Sequence, residues 1–279
     1  MEDQLNAFLD RIEHLPPSPR LLVKLMEMFK QPDKDIGEVV NLISHDPAFT
    51  VEVLKRCNSA YFGAGKPAED MSEAVMRLGF EEIYSLIVAM FAASAILRPG
   101  HTAHVEILWR HSVAVAVASR VLAHAVGEST LAGFTAGLLH EVGKVIMVSA
   151  DEAGYANVLL DAAMLKRPVI VVEKEVFGFN HAEAGACLLA RWNLPPNIVA
   201  AVAHHHHLAG AEPFQRLAAT VHLANLVAHG TSERFTGVPK GLENAADSMG
   251  LLGLTAENLV SLLPAMLEGL QKARAFAPS

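Results

Sequence analysis

Histidines and a carboxylate set in apolar surroundings are the residues of this sequence best suited to chemistry. The first candidate is the pair His140-Glu141, which lies in the mainly apolar run 138–144. Burying a charged group is costly unless the group is paired or bound to a metal, so this pair needs a partner. Two interpretations are open: a metal or catalytic site, or a hydrogen-bonded His140 beside an ion pair between Glu141 and Lys144.

Four consecutive histidines, His204 to His207, form the second candidate. Successive residues of a helix point about 100° apart, so the four side chains cannot all face one site. An adjacent pair at a helix end can nevertheless straddle one centre. The alternatives are a chance run and a surface patch that chelates metal.

Three further histidine positions open or line predicted helices. His181 follows Asn180, a predicted N-cap, so it falls in a first helical turn, where a ligand can point into a cleft. His111 opens an apolar helix. The third position is one helix face, defined by i, i+3 and i+7 spacing: His222, Asn225 and His229. A structural, capping or surface role is the alternative for each histidine.

Taken together, these positions predict a metal site. Six residues from four separate predicted helices are its candidate ligands: His111, His140, Glu141, His181, His205 and His206. Imidazole nitrogen and carboxylate oxygen suit a divalent metal such as iron, manganese, zinc or nickel. The pattern includes no cysteine, which excludes a structural zinc ribbon.

Composition limits the classes of protein to which this chain can belong. Of 279 residues 14 are histidine, and the net charge is −8 with no strongly basic stretch, so we expect no nucleic-acid binding. Two cysteines offer no disulfide framework, which fits a reducing cytoplasm. The longest apolar run, 83–97, is shorter than the about 20 residues that span a bilayer, and no signal peptide opens the chain. We therefore expect a cytoplasmic protein without a membrane span.

Helical periodicity runs along almost the whole chain and predicts an all-α fold with two lobes. The best internal boundary, 98–100, separates an N-terminal helical lobe, 1–98, from a histidine-bearing lobe, 99–230. Residues 231–279 add a loop and a C-terminal helix. The helices predicted after the boundary lie around 102–126, 129–149, 151–166, 181–192, 196–207, 213–229 and 255–275.

Three segments leave alternatives open. The run 169–172 is strand-like, but it is short and equally suits the start of a buried helix. Segment 230–250 is rich in glycine, serine, threonine and proline, which predicts a mobile connection. The amphipathic helix at 257–276 is expected to pack on the second lobe, with a dimer or partner contact as the alternative.

The order of these motifs resembles that of the HD superfamily of phosphohydrolases, and more closely that of its HDOD domain family. The resemblance covers roughly residues 12–230 and rests on several blocks in a fixed order. The N-terminal blocks are Leu15-Pro16-Pro17, Ile43-Ser44-His45-Asp46-Pro47, Asn58-Ser59-Ala60-Tyr61-Phe62 and Ala74-Val75-Met76-Arg77-Leu78-Gly79. The later blocks are Trp109-Arg110-His111-Ser112, Ala136-Gly137-Leu138-Leu139-His140, His181-Ala182-Glu183-Ala184-Gly185 and Trp192-Asn193-Leu194-Pro195.

The resemblance implies a five-helix N-terminal lobe beside an HD-like helical lobe, and a regulatory role in bacterial signal transduction. It carries the family's metal positions onto seven residues of this chain: His111, His140, Glu141, His181, His205, His206 and Asn225. Two of them depart from the family's pattern, because Glu141 and Asn225 stand where the family has aspartates. Lys144 of the pattern is retained. Relatives that hydrolyse cyclic di-GMP carry Gly-Tyr-Pro after the paired histidines, and 208–213 lacks it.

We therefore expect a signalling or scaffolding module that is not catalytic and keeps a degenerate metal site. The alternatives are an active metal-dependent phosphohydrolase of nucleotides or cyclic nucleotides, with Lys144 at the phosphate, and a sensor that binds nucleotides without cleaving them. Expected partners are signalling proteins, such as a separate receiver or a cyclic-dinucleotide enzyme, and a second copy of the chain as a homodimer. The block 58–62 predicts either a helix end or a binding edge.

Overall fold

The computed structural model of the protein describes residues 2–10, 12, 20–29, 35–44, 47–58, 67–97, 103–231 and 245–273. Every regular element in these ranges is helical, which confirms the all-α prediction. In chain order the helices are α1 (Glu2–Asp10), α2 (Arg20–Phe29), α3 (Ile36–Ser44), α4 (Pro47–Cys57), α5 (Met71–Leu78), α6 (Phe80–Ile96), α7 (Ala103–Ala125), α8 (Thr130–Leu139), α9 (Val142–Ala150), α10 (Glu152–Leu165), α11 (Val169–Phe177), α12 (His181–Arg191), α13 (Pro196–Ala203), α14 (Gln215–Thr231), α15 (Ala246–Leu252) and α16 (Ala256–Ala273).

Helix α6 joins the two halves of the chain. It is apolar on nearly all sides, as expected of a helix inside a core. It packs on α2, α4 and α5 of the N-terminal part and on α7 and α8 of the histidine-bearing part. A 2.8 Å hydrogen bond between the hydroxyls of Tyr84 and Thr135 links α6 to α8. Buried apolar side chains from Leu5 to Ala273 form one continuous cluster, so the N-terminal helices and the histidine-bearing helices share a core.

Two predicted helices break at their histidines. The helix expected at 129–149 divides into α8 and α9, with His140 and Glu141 between them. The helix expected at 196–207 ends at Ala203, so His205 and His206 lie in the turn that follows it. Because a helix rotates about 100° per residue, a continuous helix would point the members of each pair in different directions. Leaving the helix allows both members of a pair to reach one site.

The segment 169–172 is helical, so its strand-like interpretation is wrong. Helix α11 begins directly after Pro168, whose fixed φ suits the start of a helix. Helix α15 begins within the connection expected at 230–250 and ends two residues beyond it, and 232–244 falls outside the described residues. Helix α1 lies where no helix is predicted. The C-terminal helix α16 packs on α7.

Several predicted motifs lie outside the described residues. They are the proline motif at 15–19, the turn at 31–33, His45-Asp46, the block at 59–62 and the boundary at 98–100. Asn58, the first residue of its block, is described and follows the end of α4 at Cys57. Its side-chain amide donates to the carbonyl of Ala68 at 3.0 Å and accepts from the N–H of Ala68 at 2.6 Å. These two bonds tie the end of α4 to the chain that leads into α5.

One helical segment of the described residues, 130–150, has the length and mean hydropathy of a membrane span. Its most apolar window is 78% buried inside the protein, and the break at His140-Glu141 interrupts it. Two bent pairs, α5 with α6 and α15 with α16, pass the same test only when each pair is taken as one span. Burial in the core accounts for the apolar character of 130–150.

Helices α9 and α12 approach each other at two glycines. A Cβ atom at Gly143 would lie 1.8 Å from the carbonyl oxygen of His181. A Cβ atom at Gly185 would lie 3.2 Å from the backbone nitrogen of Gly143. Only hydrogen fits at Gly143, and this close contact brings the first turn of α12 to the break that carries Glu141.

Replacing Gly143 with alanine should destabilise the protein by about 1–3 kcal/mol or more, because backbone atoms occupy the space that the methyl group needs. Gly250→Ala is the matched control, since it lies in α15 with nothing within 4 Å of an added Cβ atom. The control should be neutral or stabilise by about 0.5–1 kcal/mol. Urea unfolding of the two variants checks this, and a Gly143→Ala protein as stable as the parent would contradict the contact.

Candidate metal centre

His181 is the first residue of α12, and the predicted N-cap at Asn180 is confirmed. The Asn180 side chain accepts the N–H of Glu183 at 2.9 Å, and the Glu183 carboxylate accepts the N–H of Asn180 at 2.9 Å. This capping box fixes where the helix begins. The His181 side chain is fully buried, so it is neither a cap nor a surface histidine.

A buried carboxylate on α11, Glu173, orients the His181 ring. One carboxylate oxygen accepts both Nδ1–H of His181 at 2.7 Å and the backbone N–H of the same residue at 2.9 Å. The other oxygen accepts the hydroxyl of Tyr155 on α10 at 2.7 Å. Burial by itself raises the pKa of Glu173, but the hydrogen bonds and charge of His181 outweigh it and lower the pKa. With Nδ1 engaged as a donor, the lone pair of the His181 ring lies on Nε2.

Backbone carbonyls orient His140 and His205 in the same way. Nδ1–H of His140 donates to the carbonyl of Gly137 at 2.7 Å, and Nδ1–H of His205 donates to that of Val202 at 2.7 Å. Both rings are fully buried, and their Nε2 atoms have no hydrogen-bond partner. An unpaired buried polar atom is costly, so these two nitrogens indicate a place for an ion or a water molecule.

The two oxygens of the Glu141 carboxylate have different neighbours: one is in an ion pair, and the other faces a histidine. One oxygen lies 2.6 Å from Nζ of Lys144, and the other lies 3.3 Å from Nε2 of His181 and has no hydrogen-bond partner. Burial alone would raise the pKa of Glu141. Lys144, His181 and His140 outweigh that effect and hold the pKa of the carboxyl well below its usual range. The carboxylate is therefore ionised and able to act as a metal ligand.

His206 completes a set of facing nitrogens. Its Nε2 lies 2.9 Å from Nε2 of His181, and its ring centroid lies 4.0 Å from that of His205. The ligand atoms of His181, His205 and His206 lie within 4.8 Å of one another. A second set with the same property consists of His111, His140 and Glu141. The two sets adjoin at Glu141.

His111 and Asn225 form a hydrogen bond with each other at the edge of this cluster. Nε2–H of His111 donates to Oδ1 of Asn225 at 2.9 Å. The predicted shared face of α14 is confirmed, because Nδ1–H of His222 donates to the carbonyl of His205 and the ring of His229 packs 4.3 Å from that of His111. Asn225 therefore faces the site but is bonded within the protein.

Burial keeps four histidines of this cluster, His111, His140, His205 and His206, neutral at neutral pH. It lowers the pKa of His140, His205 and His206 well below the ordinary value of 6.5. Burial and the neighbouring His229 lower the pKa of His111 to about 4. Neutral imidazole is the form that binds metal, so these ligands are ready for an ion at neutral pH.

The donor set fits a divalent metal. Three buried atoms without hydrogen-bond partners, Nε2 of His140, Nε2 of His205 and one oxygen of Glu141, mark the place. Two nitrogens each about 2.1 Å from one ion and at right angles about it lie about 3 Å apart, which matches the spacing of His181 and His206. The residues that would hold the ion are His140, Glu141, His181, His205 and His206.

Sequence reasoning misses two residues of this site, Glu173 and Tyr155, and gives only the position of a third, His229. Glu173 lies in the segment 169–177, where a carboxylate among valines gives no sign of its target eight residues later. Tyr155 has no distinguishing pattern either. His229 is spaced to share a face with Asn225, but nothing in the spacing shows that its ring packs on His111.

Comparison with known proteins identifies the same family as the motifs. A family model described as the HDOD domain matches residues 15–208. The chain is 32% identical over 227 residues to an uncharacterized protein from Treponema pallidum (strain Nichols), which covers 79% of this chain and 43% of that protein. The chain thus spans less than half the length of this curated relative.

Two solved structures share the fold. A protein from Shewanella amazonensis, named as a candidate phosphohydrolase, superposes with a TM-score of 0.75 at 26% identity, over 97% of this chain and 98% of that one. An HDOD domain protein of unknown function from Geobacter sulfurreducens superposes with a TM-score of 0.79 at 23% identity, over 98% of this chain and 96% of that one.

In metal-free protein, the free energy of unfolding should fall as the pH is lowered from about 6.5 towards 4. His111, His140 and His205 have folded-state pKa values below 6.5, so the unfolded chain takes up protons first. Their contribution is complete above pH 6.5 and declines by about 1.4 kcal/mol per pH unit for each proton bound on unfolding. Urea unfolding across this range after chelation measures the slope, and a flat profile would contradict neutral buried histidines.

Proposed function

The chain belongs to the HDOD family, and from that premise we propose that it is a regulatory module in bacterial signal transduction whose buried centre holds one divalent metal without hydrolysing phosphate esters. The candidate ions are iron, manganese, zinc and nickel, because the donor set is four imidazoles and one carboxylate. When bound, such an ion supplies Lewis acidity and lowers the pKa of a bound water. Whether that chemistry leads to hydrolysis depends on the protein residues around the ion.

The observation that carries the proposal is that two atoms of the second set, one oxygen of Glu141 and Nε2 of His111, already have partners within the protein. Lys144 neutralises one oxygen of Glu141 at 2.6 Å, and His111 is hydrogen-bonded to the neutral Asn225 at 2.9 Å. A second ion next to the first would need these same atoms. Two-metal hydrolysis depends on ions about 3.5–4 Å apart that hold the attacking and the leaving oxygens, so a single-ion centre lacks that route to turnover.

An active metal-dependent phosphohydrolase is the second candidate function. The orientation of the imidazoles favours it, since Nδ1 of His140, His181 and His205 is engaged by the protein while Nε2 is left for a ligand. The phosphohydrolase name of the Shewanella amazonensis relative favours it as well. In that case Lys144 would leave Glu141 to contact a phosphate.

The proposal also covers the partners and the cellular location of the protein. A regulatory module acts through a partner, and we propose a signalling protein, such as a separate receiver or a cyclic-dinucleotide enzyme, and self-association as a homodimer. We further propose a cytoplasmic location, which fits two cysteines that form no disulfide. The net charge of −8 disfavours nucleic acid as the partner.

Purified protein reconstituted with manganese, iron, zinc or nickel should hold about one ion per chain and show no turnover of cyclic dinucleotides, nucleotides or a generic phosphate ester. Elemental analysis and product chromatography measure the two results. His140→Ala should lose the ion, since it removes one of the unpaired buried nitrogens. Metal-dependent turnover that disappears in His140→Ala would overturn the regulatory proposal in favour of the hydrolase.

Asn225→Asp should raise metal occupancy above one ion per chain, because it puts a carboxylate against His111 where the amide now sits. Asn258→Asp is the matched control: it makes the same change of charge at an exposed residue that caps α16. Titration with manganese followed by elemental analysis compares the two. Unchanged occupancy in Asn225→Asp would contradict the role given to this amide.

A further inference from the structure

We propose that Tyr155 and Glu173 are positioning residues that set the metal affinity of His181, and that they couple the centre to the helical hairpin formed by α10 and α11. This inference rests on the proposed metal binding and adds the means by which one ligand is tuned. Neither residue belongs to the histidine and carboxylate motifs that identify the family.

Both carboxylate oxygens of Glu173 have hydrogen-bond partners inside the protein. Its side chain is fully buried, and it accepts three hydrogen bonds of 2.7–2.9 Å from two residues, Tyr155 and His181. The two bonds from His181 come from its ring and its backbone, so the ring is fixed relative to the start of α12. A histidine ligand whose other nitrogen donates to a carboxylate is a stronger base and binds a metal more tightly.

Tyr155 fixes the other side of the carboxylate. Its hydroxyl is the hydrogen-bond partner of the second Glu173 oxygen, 2.7 Å away, and its ring is buried. Burial and the charge of Glu173 raise the pKa of the Tyr155 hydroxyl, so it stays a donor. Without this bond one oxygen of a buried carboxylate would lack a partner, which is costly.

The Glu173 bonds join the hairpin to the start of α12. Helices α10 and α11 pack on each other through a small apolar cluster of Val158, Ala162 and Val172, separate from the main core. Helix α10 also packs on α9. Between α11 and α12 the described polar links are the Glu173–His181 bonds and the more exposed ion pair of Lys174 with Glu183 at 2.9 Å. Because coupling is reciprocal, an ion that holds His181 in place should also hold the hairpin.

Glu173→Gln and Tyr155→Phe test the proposal, with Glu175→Gln as the matched control. Glu175 lies on the same hairpin and pairs with Arg167 at the surface. In competition with a chelator of known affinity, Glu173→Gln should weaken manganese or zinc binding about 10–100-fold, and Tyr155→Phe should weaken it in the same direction. Glu175→Gln should bind like the parent. Thermal unfolding of the metal-free variants separates an affinity change from a loss of fold.

Two further measurements report on the coupling itself. In metal-free parent protein, nuclear magnetic resonance should show a far-downfield Nδ1–H proton on His181, and Glu173→Gln should shift it upfield. Metal loading should slow hydrogen exchange in α10 and α11 of the parent but not of Glu173→Gln. A folded Glu173→Gln protein with parental metal affinity would overturn this inference and leave the proposed function standing. A parent that binds no metal would overturn both, and the His181 resonance would then show only whether Glu173 orients the ring.

Discussion

The carboxylate of Glu141 is ionised at the centre of the fold, and its neighbours are arranged to make that state stable. Burial opposes the charge, and Lys144 together with the surrounding histidines outweighs burial. One oxygen serves the ion pair and the other faces His181 without a hydrogen-bond partner. The break between α8 and α9, the turn after α13 and the close contact of α9 with α12 all bring groups to this one carboxylate.

Local rules predict much of this arrangement. Helical periodicity gives the all-α fold, and the Asn180 cap places His181 at the start of α12 because both depend on residues within a few positions. The helix breaks at His140-Glu141 and His205-His206 are not predicted. The local sequence at each break favours a continuous helix, and only tertiary contacts stabilise the interrupted form. Glu173 and Tyr155 are beyond local rules altogether, because their targets lie 8 and 18 residues away on other helices.

The two departures from the family's pattern act on the same side of the centre. Asn225 forms a neutral hydrogen bond with His111, and Glu141 gives one oxygen to Lys144. On the opposite side, the Nε2 atoms of His140 and His205 have no hydrogen-bond partner, and those of His181 and His206 lie 2.9 Å apart. The seven positions that look nearly intact in the sequence are therefore unequal in the structure, because some have partners within the protein and others have buried atoms without one.

The separation of these groups along the chain affects how the protein folds. His111 and Asn225 are 114 residues apart, and His181 and His206 are 25 apart. Contacts between such distant residues form only when most of the chain has already folded, because the loops between them must first be closed. An ion that requires these side chains together stabilises the native state and not the unfolded one. Such an ion would be acquired late in folding, and its retention would report whether the helices around α6 and α7 are still assembled.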